Sequence, residues 1–168
     1  MKALDRNFET RLFEEKDLAE VDYINRICLP ENYNSFFFLN IHRNFPLTFL
    51  VTTINEKIVG YIMCRIEMGL SNINRLKLVR KGHIISLAVL SEHRKKGIAH
   101  TLLEIVLRNI SEYNVTECYL EVRVSNKSAL NLYQDFDFKI SRMIHSYYRD
   151  GEDAYLMTRS MIELEHKL

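Results

Sequence analysis

Cysteine, glycine and proline are all scarce in this chain of 168 residues, at three, five and two. So little Gly and Pro leaves no collagen-like repeat, no low-complexity tail and no flexible linker, and nearly every segment is expected to be structured. Cys28, Cys64 and Cys118 lie far apart and never form a Cys-x-x-Cys pair. That argues against a zinc site or a disulfide framework, and for buried thiols in a reducing compartment. A charge excess is also missing: 23 Lys and Arg stand against 22 Asp and Glu, a net charge of +1. The molecule as a whole therefore exerts no strong pull on nucleic acid or membrane, and only local patches could do so. No apolar run approaches the ~18 residues needed to span a bilayer. Met1–Asp17 is studded with charge, so no targeting segment is read there and a cytoplasmic location is expected.

What is present describes an ordinary globule, 47% hydrophobic and 27% charged. A chain of this length buries about 68–70% of the surface its unfolded form exposes, enough for one core without staples. No repeat or linker divides it, so residues 1–168 are expected to form a single domain.

Glu9–Phe13 reads as a short strand. Leu18, Val21, Ile24 and Ile27 recur at helical spacing within Glu14–Leu29, and Pro30 stops that helix. Asn34–Asn44 is a second helix, rich in Phe. Leu47–Thr53 and Ile58–Glu67 form a hairpin around Asn55-Glu56-Lys57, and Gly69–Lys81 is expected to be a polar, basic loop. Gly82–Val89 is apolar except for His83 and Ser86, as a central strand would be. Gly97–Tyr113 carries Leu102, Leu103, Val106, Leu107 and Ile110 on one helical face, and Glu117–Val124 is the next strand. Ser125 or Asn126 can cap a helix running to Phe136. Phe138–Tyr148 and Asp153–Thr158 then pair around Asp150-Gly151. The class is α/β with a mixed sheet, in which Gly82–Val124 forms a parallel strand–helix–strand unit.

Between that strand and its helix stands Arg94-Lys95-Lys96-Gly97-Ile98-Ala99. A Gly just before a helix lets a backbone approach an anion closely, and the free amides and positive dipole end of the helix favour phosphate. The same hexamer is equally read as a basic loop with Gly for turn geometry. It is neither a Walker loop nor a dinucleotide fingerprint, because the required glycines are absent.

Three segments in order, His83–Val89, Arg94-x-x-Gly97-x-Ala99, and Leu120–Asn126 with Ala129 and Leu132-Tyr133, resemble the GNAT acetyltransferase superfamily. Within it, Leu29-Pro30-Glu31-Asn32-Tyr33 and Tyr147-Tyr148 with Asp150-Gly151-Glu152 are similar to N-terminal acetyltransferase catalytic subunits of the A type and, more distantly, to the RimI type. The resemblance covers essentially the whole chain. It implies a GNAT-like mixed, splayed β-sheet flanked by helices. Pantetheine would lie along Leu87, Ala88 and Val89, with the pyrophosphate of the co-substrate acetyl-CoA held by Arg94, Lys95, Lys96, Gly97, Ile98, Ala99 and His100. Asn126 would also bind the co-substrate. Relatives often have Gly before Phe where this chain has Asp137-Phe138. Asp tolerates left-handed geometry, so that turn is expected to survive.

Acetyl transfer to an amine needs the amine unprotonated, the carbonyl polarised and the departing thiolate protonated. His83 and Glu121 interrupt neighbouring apolar strands, and imidazole as a residue type titrates near neutral pH. On composition they are a hydrogen-bonded core histidine and a strand-end charge; the resemblance makes them a base acting through water. It also gives the sulfur its proton from Tyr133, which helical position alone would assign to the core. Leu29, Pro30, Glu31 and Tyr33 would line the peptide entrance, with Ser86 also on the acceptor side and Glu31 holding the incoming amine. Tyr147 and Tyr148, as neighbours on a strand, would face opposite ways, and their hairpin would close over the peptide.

The expected function is thus transfer of acetyl from acetyl-CoA to the α-amino group of protein N-termini or nascent chains, without a metal. A lysine or small-amine acceptor fits the same co-substrate motifs. An RNA- or ribosome-binding domain using Arg75, Lys77, Arg80, Lys81 and Arg94–Lys96 is weaker, since no aromatics interleave those cations. The charge of those loops could assist contact with a ribosome or auxiliary subunit, whereas no membrane and no specific nucleic acid are expected as partners.

Overall fold

The computed structural model describes residues 7–162. Seven strands make one mixed sheet in the order β1-β2-β3-β4-β5-β7-β6. They are β1 (Glu9–Leu12), β2 (Phe49–Ile54), β3 (Lys57–Leu70), β4 (Leu78–Val89), β5 (Glu117–Arg123), β6 (Lys139–Ile144) and β7 (Ala154–Ser160). The helices are α1 (Leu18–Cys28), α2 (Ser35–Asn44), α3 (Ile98–Ser111) and α4 (Lys127–Asp135). Two compact units emerge: one is the chain to Arg65 together with Ser86–Asn109, the other Ile66–Ile85 together with the chain from Ile110. β3 and β4 contribute residues to both.

In the first unit, β1 pairs antiparallel with β2, Arg11 opposite Val51, and β2 with β3, Val51 opposite Tyr61. The β2–β3 turn places Asn55 and Glu56 at φ 49° and 65°, the left-handed pair that matches strand twist in a two-residue hairpin. Asn34 caps α2 by accepting from the Phe37 amide at 2.9 Å, one of the first-turn donors that lacks a helical partner. Phe13, Val21, Ile24, Phe38, Ile41 and Phe49 are buried together with Leu102, Leu103 and Val106 of α3, and the Phe13 and Phe49 rings stack at 4.0 Å. Asp17, itself buried, accepts from both Arg11 terminal nitrogens at 2.6 and 2.9 Å and from the Glu14 amide at 2.9 Å. Burial pushes its carboxyl up, but the Arg11 and Glu14 bonds outweigh this and hold it below the usual carboxylate range. Gly60 has no room for a side chain: a Cβ would meet the Ala88 carbonyl oxygen at 2.9 Å and Val89 Cγ2 at 3.1 Å.

In the second unit, β4 and β5 are parallel, as expected, with His83 opposite Tyr119. β7 lies antiparallel between β5 and β6. α4 ends where Asp137 takes φ 61°, and the Asp137 and Phe138 amides donate back to Gln134 and Tyr133 carbonyls at 3.0 and 3.1 Å. Asp therefore does adopt the left-handed position there.

Two expectations need correction. Gly69–Lys81 is not one loop: β3 runs on to Leu70 and β4 begins at Leu78, leaving only residues 71–77 between them. Strand pairing overrides the polar local composition, which is weak evidence against a hairpin. The strand expected to reach Tyr148 stops at Ile144, and Tyr147 and Tyr148 lie in the β6–β7 connection. Ser146 at φ 50° turns the chain off the sheet, its amide donating to Asp153 Oδ1 at 2.8 Å.

Candidate active site

The turn after β4 is built as an open cradle. The Arg94 amide donates to Ser91, and Arg94 Nε donates to the Val89 carbonyl at 2.9 Å, tying the turn to the end of β4. Lys95 and Gly97 have φ 61° and 83°; nothing lies within 4 Å of where a Gly97 Cβ would sit. Gly is required there by the backbone angle, and its open side leaves room for a ligand. Helix α3 opens directly after Gly97, with the Thr101 amide donating to the Gly97 carbonyl at 2.9 Å, and the amides and positive dipole end of a helix start favour an anion. Arg94, Lys95, Lys96, Gly97 and His100 are exposed, Ala99 is half-buried and Ile98 anchors the helix in the core. This arrangement fits a pyrophosphate.

Strand alternation sorts the residues of β4 by face. His83, Ile85 and Leu87 are partly exposed, whereas Ser86 and Ala88 are buried with Val89. Ser86 donates to the Tyr61 hydroxyl at 3.1 Å, which also accepts from Asn25 Nδ2 at 2.9 Å. Burial is the main force pushing the Tyr61 phenol well above its ordinary value, with Ser86 and Asn25 pulling the other way. Asn25 also holds the loop after α1, donating to the Glu31 carbonyl and accepting from the Tyr33 amide, both at 3.3 Å. Tyr33 stacks on Phe37 at 4.8 Å. Glu31 and Tyr33 are half-buried, Leu29 likewise, and Pro30 is exposed. Asn25 and Tyr61 escaped sequence reasoning, although an Asn four residues after Val21 on an apolar helix stripe is a signal.

In the other unit, His83 and Glu121 are brought together from 38 residues apart: Nε2 lies 2.7 Å from Oε2, and each side chain is 15% exposed. The imidazole stacks on Tyr119 at 4.3 Å, nearly parallel. Tyr119 donates to Glu67 Oε1, and Lys81 Nζ sits 4.8 Å from the same ring centre. Tyr119, Glu67 and Lys81 thus fix the imidazole plane, a support no spacing rule reveals because it spans three strands.

Tyr133 is buried, and loss of water pushes its phenol well above the usual value, keeping it protonated. Asn126 caps α4, accepting from the Ala129 amide at 3.1 Å. Tyr147 is 46% exposed, and its ring meets that of Tyr148 edge-on at 5.0 Å. The Arg123 guanidinium lies 3.9 Å from the Tyr148 ring centre and donates to Asp150 and Glu152 at 2.8 and 2.7 Å. Glu152 also accepts from the Ser125 hydroxyl and amide. These bonds, that of the Ser125 hydroxyl foremost, hold its carboxyl at about 2. Among the described residues no His, Cys, Asp or Glu cluster could hold a metal.

A parallel strand–helix–strand unit with a glycine turn at the helix start is shared by many α/β proteins that bind phosphorylated ligands. The Acetyltransferase (GNAT) family model matches residues 11–138, and the chain belongs to that family. Within it, the chain is 49% identical over 158 residues, 93% of its length and 95% of the other's, to an N-alpha-acetyltransferase of Saccharolobus solfataricus. Its fold is similar to the crystal structure of Ard1 from Thermoplasma volcanium, with TM-score 0.79 and 30% identity over 94% of this chain and 99% of that one. It is also similar to Arabidopsis thaliana Naa50 in complex with the bisubstrate analogue CoA-Ac-MVNAL, with TM-score 0.78 and 28% identity over 92% and 99% of the two chains.

Proposed function

We propose that this chain transfers the acetyl group of acetyl-CoA to the α-amino group of protein N-termini. The observation that carries the reading is the near full-length likeness to an N-alpha-acetyltransferase, which spans the anion cradle, the His83–Glu121 pair and the Glu31 loop alike. Bound acetyl-CoA supplies an activated acyl group. Leu87, Ala88 and Val89 hold its pantetheine arm as an added strand, and Arg94–His100 with Asn126 hold its phosphates.

The remaining work falls to the chain's own side chains. An α-amino group has an ordinary pKa of ~7.7–8.0, well below the ~10.4 of lysine, so a modest base suffices. His83, oriented by Glu121 and Tyr119, takes the amine proton through a water. The amine nitrogen forms its bond to the acyl carbon as the carbon–sulfur bond breaks, and the second proton that the nitrogen sheds goes to the departing thiolate by way of the Tyr133 hydroxyl, which ends protonated as it began. Glu31 meets the incoming ammonium, Leu29, Pro30 and Tyr33 shape the entrance, and Ser86 supports it through Tyr61 and Asn25. Tyr147 and Tyr148, latched by Arg123, cover the peptide backbone. With none of its three cysteines in a disulfide, the cytoplasm is the compartment that suits it.

The test is incubation of the purified protein with acetyl-CoA and peptides starting Ser, Ala, Met-Leu or Met-Glu, each with a free or a blocked N-terminus. Acetylation of free N-termini alone is expected. Acetylation that survives blocking, on an internal lysine, would move the acceptor to a side-chain amine.

A further inference from the structure

Five of the large hydrophobic residues left exposed fall within eleven positions: Met68 at 57%, Leu70 at 62%, Ile73 at 57%, Leu76 at 94% and Leu78 at 68%. A cluster of large exposed apolar side chains of this kind marks an interaction surface more often than scattered single ones do. The three on strands, Met68, Leu70 and Leu78, are directed the same way by the pleat. On β3, Glu67 binds Tyr119 and Gly69 packs on the Lys81 stem, so Met68 and Leu70 point to the opposite face. On β4, Lys81 takes the inner face, donating to the Leu70 carbonyl at 3.0 Å, so Leu78 and Arg80 point outward.

The connecting loop is held in shape. The Ser71 amide donates to the Lys77 carbonyl at 2.8 Å and closes it. The buried Ser71 hydroxyl donates to the buried Glu117 and accepts from the Ile73 and Asn74 amides. The Asn72 amide donates to the other Glu117 oxygen at 2.8 Å. Ile73 and Leu76 therefore stand on a fixed tip and cannot fold back onto the sheet.

Arg75 and Lys77 are exposed beside them, as is Arg80, one of whose terminal nitrogens donates to the Tyr113 carbonyl at 3.0 Å while the others stay open to solvent, and no Asp or Glu occurs between Glu67 and Glu92. We infer that this hairpin end docks on an anionic lipid surface, its aliphatic tip entering the interface while the three cations meet headgroup phosphates. Charge complementarity selects that occupant: a second copy would bring like charges together, and an RNA would find no aromatic side chain in 68–80 on which to stack. A small net charge of +1 does not oppose this, because attraction within a Debye length depends on the local patch.

Co-sedimentation with equimolar phosphatidylglycerol–phosphatidylcholine vesicles, against pure phosphatidylcholine, tests it. Binding to the anionic vesicles is expected to be about tenfold tighter or more, and weaker at high salt. Ile73→Asp with Leu76→Asp should lower it about tenfold, as should Arg75→Glu with Lys77→Glu. Unchanged thermal midpoints would show that both variants remain folded. No binding, or binding that neither pair alters, would overturn the inference. So would self-association or binding of a structured RNA, without vesicle binding, that the same substitutions abolish.

Discussion

Removing His83 should slow acetylation in a way that depends on pH. At pH ~7 only about a tenth of an α-amine with pKa ~8 is unprotonated. If the pair's task is to take that proton, His83→Ala forfeits at least this factor of about ten near neutrality and recovers it as pH rises past ~9. On the same reading Glu121 acts through the imidazole. Its charge-assisted bond at 2.7 Å, between side chains 15% exposed, falls toward the lower end of the ~1.5–3 kcal/mol for hydrogen bonds to charged groups. Glu121→Gln should therefore cost about tenfold, since ~1.4 kcal/mol is one decade. The double variant should be no slower than His83→Ala alone, because removing the orienting group has no effect once the base is gone. The assay is initial rate on a Ser-starting peptide at saturating acetyl-CoA, from pH about 6.5 to 9.5. A loss that is constant across pH, or losses that multiply in the double variant, would refute the base assignment and leave the pair with a structural or positioning role.

Gly97→Glu puts bulk and negative charge into a cradle with φ 83° and should weaken acetyl-CoA binding at least tenfold by calorimetry; unchanged affinity in a folded variant would dismiss the cradle. Gly60→Ala drives a Cβ to 2.9 Å from the Ala88 carbonyl, so it should destabilise by ~1–3 kcal/mol in urea unfolding and weaken acetyl-CoA binding through the end of β4. Asp17 titrates below its ordinary value when folded. The stability it contributes is present above the unfolded value of ~3.9 and fades as pH falls through the lower folded value. Asp17→Asn should lower the urea midpoint at neutral pH and flatten its fall below pH ~4; an acid limb as steep as the parent's would place that dependence in other carboxylates. Glu31→Ala should change the ratio of rates on Ser- and Met-starting peptides while acetyl-CoA affinity holds. A uniform loss on every peptide would make Glu31 a general catalytic or loop-supporting group.

Local chemistry made most elements legible in the sequence. The apolar stripe of α3, the Phe-rich α2 with Asn34 at its start, and the apolar run of β4 follow from periodicity and caps, which act over a few residues. Gly97 marked the cradle because only the backbone angle and the following helix are needed to make one. Asp137 could be placed in a left-handed turn for the same reason. What tertiary structure decided was adjacency. His83 and Glu121 stood out along the chain as polar interruptions of strands expected to be neighbours, but only the parallel pairing of β4 with β5 sets Nε2 2.7 Å from Oε2, and nothing in either strand foretells that Tyr119, Glu67 and Lys81 will brace the ring. Asn25 and Tyr61 become a support for the Glu31 loop only once α1 lies against β3. The β3–β4 hairpin outgrew its local signal because a strand at the sheet's centre gains ladder bonds from its neighbour whatever its composition, and Tyr147 and Tyr148 left the strand pattern because Ser146 and Asp153 turn the chain. Short-range preferences are written along the chain, whereas a partner 38 residues away is chosen by burial and pairing that exist only when the whole sheet has formed.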